Sequence, residues 1–119
     1  MLTYRIVPTA ALASLTLTLA LIVTPAHAGG DPAAAAEKAQ TCAACHGPDG
    51  NKPIDPAYPK LAGQYEDYLA KALHDYRSGA RKNVVMQGQA AALTDADIAN
   101  LSAFFAEKAG DVQDLSHFK

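Results

Sequence analysis

The only two cysteines of the chain stand in the run Cys42-Ala43-Ala44-Cys45-His46. Two thiols separated by two residues, with an imidazole directly after, make the C-x-x-C-H pattern that attaches a c-type haem. Each thiol can add to one vinyl group of a porphyrin, giving two thioether bonds. His46 then lies where its imidazole can bind the iron from one side. Small Ala43 and Ala44 suit a backbone that passes close to the porphyrin edge. Two other chemistries use paired thiols. A redox dithiol of the thioredoxin kind belongs near a βαβ pattern, and no strand pattern accompanies this one. A structural zinc site takes about four ligands. The chain has no second cysteine pair, and His27, His74 and His117 are too widely spaced to supply a histidine pair.

Iron bound by His46 has a second face. The sequence has two methionines, Met1 and Met86. Met86 lies in the stretch Ala80–Ala92, which lacks clear periodicity and reads as a loop able to swing a thioether across the far haem face. Methionine is more commonly core filler, but Gln87 and Gly88 make this a poor place for it. The alternatives are His74, expected on the polar side of its helix, His117 in a terminal tail, and an open or water-ligated iron.

At 119 residues the chain is one small domain. Arg5 provides a positive start, and Ile6 to Val23 is apolar apart from Pro8, Ser14 and three threonines. Pro25 breaks the run before Ala26-His27-Ala28, an A-x-A cleavage site. Residues 1–28 are therefore expected to be a cleaved signal peptide and 29–119 the working domain, exported to the periplasm. An uncleaved membrane anchor is the competing reading, because the run approaches spanning length. Residues 29–119 carry nine basic and twelve acidic side chains, a net charge of −3. No basic excess points to nucleic acid or anionic lipid as a partner. So small a domain has little core of its own, and a flat apolar haem can act as its centre.

Asp31-Pro32 reads as a helix entry, Asp as cap and Pro at the first helical position, leading through an alanine-rich run into Cys42. Gly47 to Asn51 is dense turn sequence, and Pro53, Pro56 and Pro59 keep the chain irregular to Leu61. From Tyr65 to Ser78 the apolar residues Tyr65, Tyr68, Leu69, Ala72, Leu73 and Tyr76 follow helical spacing. Asp67 and Lys71 on the other side are placed for an ion pair. Thr94 and Asp97 resemble a capping box for a helix over 95–109, with Ile98, Leu101, Phe104 and Phe105 as its apolar stripe.

Taken in order, these elements resemble the class I cytochromes c, and among them the small bacterial c4, c5 and c-553 group. The likeness covers about Ala34 to Glu107. It rests on Cys42 to Gly47, on Tyr58-Pro59-Lys60-Leu61-Ala62-Gly63-Gln64, on Tyr68-Leu69, on Gly79-Ala80-Arg81 ahead of Met86, and on Leu93 to Ile98 with Phe104-Phe105. The resemblance implies an all-α cytochrome c fold, three main helices and loops wrapped around one covalently bound haem c. It implies His46 and Met86 as iron ligands, with the Pro59 carbonyl accepting a hydrogen bond from His46 Nδ1–H. It also implies that the N- and C-terminal helices cross, Ala35 against Phe105. The c4 members carry two haems in a chain about twice as long; one C-x-x-C-H here leads to the expectation of a single haem.

The function expected on these grounds is that of a periplasmic one-electron carrier. It would transform no substrate and serve redox protein partners as donor and acceptor. It would be a monomer, without stable membrane insertion. The alternative is a haem c electron-transfer subunit of a larger oxidoreductase complex; an open-haem enzyme such as a peroxidase is a third reading. Lys52, Lys60, Arg81 and Lys82 fall in the segments that carry Pro59 and Met86, which suggests a locally less negative docking face.

Overall fold

The computed structural model describes residues 29–112. The expected signal peptide, with His27, lies outside the described residues, and so does His117. Among the described residues there are helices and no strands, as expected.

Asp31 Oδ1 accepts from the Ala33 N–H at 2.9 Å, but the cap position falls one residue later than expected, on Pro32. The first turn is nevertheless a 3-10 turn over Ala33–Ala35, and the α-helix α1 runs Ala36–His46. The C-x-x-C-H run thus forms the last turns of α1 and does not follow the helix. Gly47 stops it at φ 90°, where a side chain is strained. A Cβ there would also stand 2.3 Å from the Lys52 carbonyl oxygen.

Helix α2 spans Glu66–Ser78 and ends at left-handed Gly79. The expected Asp67–Lys71 pair is not formed. Lys71 pairs with Asp75 at 2.5 Å, while Asp67 Oδ1 accepts from the Tyr68 N–H at 2.8 Å. A carboxylate in the first helical turn faces free N–H groups and the positive end of the helix dipole, which outweighs an exposed ion pair.

The expectation for Met86 needs the largest correction. It does not sit in a loop but in the first turn of a short helix, α3, Val84–Ala90. Asn83 caps that helix, its side chain accepting from the Met86 N–H at 3.0 Å. Seven residues make about two turns, too few to show a period, and Gly88 lowers the helix propensity further.

Helix α4 covers Asp95–Ala106 and opens on the predicted capping box. Asp97 N–H donates to Thr94 Oγ1 at 3.1 Å, and Thr94 N–H donates to Asp97 Oδ2 at 3.0 Å. Lys38 of α1 also reaches Asp97, at 3.0 Å. The Thr94 hydrogen bonds, with this ammonium beside them, hold the Asp97 carboxyl down at about 2.

Helix α4 packs across α1 and the turn before it, and also against α2, which carries α3. Ala35, Ala39, Leu69, Leu101 and Phe105 form one buried cluster. This bears out the expected crossing of the two end helices around Ala35 and Phe105. Among the described residues, five of the nine buried apolar residues are alanine, so the polypeptide's own core is thin.

Ser102 is buried at 1% exposure, and its Oγ has no hydrogen-bond partner among the described residues. A buried polar atom without a partner costs about 1–3 kcal/mol. Ser102→Ala keeps the Cβ and removes that atom. It is expected to raise the melting temperature by up to about 4–8 °C, the shift of roughly 1 kcal/mol in a domain of this size. A fall in melting temperature would show that the hydroxyl is in fact satisfied.

Candidate haem site

Within α1, Cys42, Cys45 and His46 stand at helical spacings of three and four, so all three project from one face. Both cysteines are free and half-buried. Cys42 packs against the core cluster. Burial pushes its thiol up, and Cys45 nearby adds to the shift. Reactive thiolates are favoured at the positive, N-terminal end of a helix. These thiols lie at the other end, where the dipole disfavours negative charge. The geometry argues against a redox dithiol. Nor do the described residues hold any group of three His, Cys, Asp or Glu side chains that could chelate a metal by themselves.

His46 is buried, at 5% exposure. Its Nδ1 lies 2.7 Å from the Pro59 carbonyl oxygen, in agreement with the expectation for that pair. A carbonyl only accepts, so Nδ1 carries the hydrogen and Nε2 is left with the lone pair that binds metal. The Tyr58 ring meets the imidazole edge-on, with centroids 6.1 Å apart. The Pro59 strap is tied on both sides. Leu61 N–H and Ala62 N–H donate to the Gly50 carbonyl at 2.7 and 3.2 Å, and Gly63 N–H donates to the Phe105 carbonyl at 3.0 Å. Gly110 presses on the same strap: a Cβ on it would stand 2.0 Å from the Ala62 carbonyl oxygen. Asp111 then bonds Asn51 through its N–H at 3.2 Å and Lys60 through its carboxylate at 2.5 Å.

Met86 is half-buried and lines a cleft of about 320 Å³ together with Thr41, Cys42, Leu73, Leu93 and Leu101. The structure thus brings Met86 and Cys42 to one cleft, while His46 stays outside its lining. The apolar side chains of Val84 and Val85, just before Met86, are 87% and 53% exposed. Ile54, whose N–H donates to the Cys45 carbonyl at 3.1 Å, is 70% exposed. His74, the rival ligand, is engaged elsewhere: its Nδ1 lies 3.0 Å from Arg77 Nη2 and 4.0 Å from Asp95.

The basic cluster expected around the site is weaker than its residue count. Lys60 is paired with Asp111, whereas Arg81, 5.0 Å over the Tyr76 ring and bonded to the Tyr68 hydroxyl at 3.4 Å, meets only neutral groups among the described residues and keeps its charge. Sequence reasoning also passed over Asn83 and Arg77. The signal for Asn83 was present, a capping residue type three positions before Met86.

A family model described as Cytochrome c matches residues 32–107. The chain belongs to the cytochrome c family. A cytochrome c4 of Pseudomonas aeruginosa is 50% identical over 97 residues, covering 82% of this chain and 47% of the relative. A thiosulfate dehydrogenase electron acceptor of Thiomonas intermedia is 41% identical over 75 residues, covering 63% of this chain and 35% of the relative. Among solved structures, reduced recombinant cytochrome c4 from Pseudomonas stutzeri superposes with a TM-score of 0.56 at 33% identity, covering 68% of this chain and 52% of that one. This cytochrome therefore spans about half the length, or less, of these relatives. Its cofactor is that of the family, covalent haem c. The residues present suit such a group: two free thiols and an imidazole on one helix face, the imidazole's Nε2 unencumbered, a thioether that shares a cleft with Cys42, and exposed apolar side chains nearby.

Proposed function

We propose that this cytochrome is a periplasmic one-electron carrier in which Cys42 and Cys45 hold the haem and His46 and Met86 bind its iron. The observation that carries the reading is the 2.7 Å contact between His46 Nδ1 and the Pro59 carbonyl. It fixes the tautomer and the ring orientation beside two unpaired thiols. Cys42 and Cys45 would hold the haem through thioether bonds. When bound, the haem supplies a one-electron Fe(III)/Fe(II) couple. The Met86 thioether, a soft donor, favours the reduced state and raises the potential. If His46 and Met86 both held the iron, no position would be left for oxygen or peroxide, and the chain would transform no substrate. Redox proteins are its donor and acceptor, and the name of the Thiomonas intermedia relative, an electron acceptor, supports that role. It works as a monomer, freed from its signal peptide at Ala28, with no nucleic-acid partner. Among the described residues no helix is long and apolar enough to cross a membrane.

The test is the absorption spectrum of the exported protein in both redox states, joined to haem staining of a denaturing gel. A stained band at the chain's mass and a Met–Fe(III) charge-transfer band in the oxidised form are expected. Haem that separates on denaturation would overturn the attachment, and a ferric spectrum without that band would overturn the ligand set.

A further inference from the structure

The segment Ala80–Leu93, which carries Met86, is joined to α2 through two arginines. At its start, the Arg81 N–H donates to the Asp75 carbonyl at 3.0 Å and the Arg81 guanidinium bonds Tyr68. At its end, Arg77 of α2 donates from Nη1 to the Leu93 carbonyl at 2.8 Å. Through Nη2 the same guanidinium meets Asp95 Oδ1 at 2.5 Å and His74 Nδ1 at 3.0 Å. Beyond these contacts, the hydrogen bonds of the segment among the described residues are its own helical and turn bonds or local ones to its chain neighbours. Leu93 shares the lining of the cleft with Met86 and, on α2, with Leu73.

We propose that Arg77 is a positioning residue for Met86: it clasps the end of the Met86 segment to α2 and so keeps the thioether in place. The proposal rests on the reading of Met86 as an iron ligand. Its physical basis is the fork of the guanidinium, which satisfies a carbonyl and a carboxylate at once from a fixed plane. The side chain is 29% exposed while Asp95 is 81% exposed. The bond to the Leu93 carbonyl is the better shielded of the two, and the ion pair to Asp95 is largely screened by water. Loss of the clasp frees one end of a short helix whose other hydrogen bonds to α2 are those of Arg81, leaving side-chain packing at Ala90 and Leu93 to hold it, so local opening at Met86 becomes more frequent without global unfolding.

The experiment uses the haem-loaded full chain and follows cyanide binding to the ferric form, alongside global unfolding by far-UV circular dichroism. Arg77→Gln is expected to bind cyanide about tenfold faster than wild type, the change in open population that loss of one such tie produces. Arg77→Lys should recover part of the difference. Asp95→Asn, which spares the Leu93 bond, should change the rate much less. Leu69→Ala, a core variant away from the clasp, gives the rate expected from global destabilisation alone. If Arg77→Gln leaves the rate at the wild-type value, or raises it no more than Leu69→Ala does at equal loss of stability, Arg77 is merely structural. If wild type and Met86→Ala bind cyanide equally fast, the fault lies instead in the ligand assignment, and the proposal falls with it.

Discussion

Met86→Ala is expected to open the ferric protein to cyanide, abolish the Met–Fe(III) charge-transfer band and lower the reduction potential. An external ligand competes only for the fraction of molecules in which Met86 is displaced. If that fraction is about 1%, removing the thioether raises apparent cyanide affinity roughly a hundredfold. The fall in potential has the same origin, because a soft sulfur donor favours the reduced iron and water does not. Met86→His would refill the position with a harder donor, so the potential should fall while cyanide stays slow. That pairing separates a missing ligand from a changed one. Equal spectra and equal cyanide binding in wild type and Met86→Ala would exclude Met86 and return attention to His74. An Arg77→Ala background, which strips His74 of its nearer partner, would then show whether the imidazole can reach the iron.

The double variant Cys42→Ala/Cys45→Ala should lose haem on any denaturing gel and give it up in the native state to an excess of a haem-scavenging apoprotein. A short tether holds a group at an effective concentration of about 1 mM. Against free haem at about 1 μM the loss is roughly a thousandfold in occupancy drive. The single variants should differ from each other. Cys42 packs on the core cluster of Ala35, Ala39, Leu69, Leu101 and Phe105, whereas Cys45 does not. Cys42→Ala therefore loses packing as well as a bond, and it should melt lower than Cys45→Ala. The effect is sharpened by the thin core, where more than half of the buried apolar positions among the described residues are alanine. Retention of haem by the denatured double variant would mean that the attachment lies elsewhere.

The features legible in the sequence were those whose physics is local. The C-x-x-C-H run, the Thr94–Asp97 capping box and the end of α2 at Gly79 each depend on neighbours within a few residues. The His46–Pro59 contact spans 13 residues and was reached through family resemblance, not through periodicity. The features that escaped are of two kinds. Helix α3 is too short to display a period, and its cap, Asn83, is a residue type common in turns as well. Lys60 and Arg77 find their partners at separations of 51 and 16–18 residues, where no sequence spacing applies. Counting Lys60 as free positive charge therefore overstated the basic face. Lys71 had an acidic residue four positions away on either side, Asp67 and Asp75, and the choice between them turned on the free N–H groups at the start of α2.

The strap at Pro59 has a mechanical reading. Gly110 lies against Ala62, and Asp111 grips both Asn51 and Lys60, the latter the direct neighbour of Pro59. The chain at Asp111 therefore stands one residue from the carbonyl that aims the His46 ring, linked to it through Lys60. The segment just past α4 thus braces the strap that holds the His46 ring. A domain or docking partner attached at that point would have a lever on the electronic properties of the iron without touching the haem.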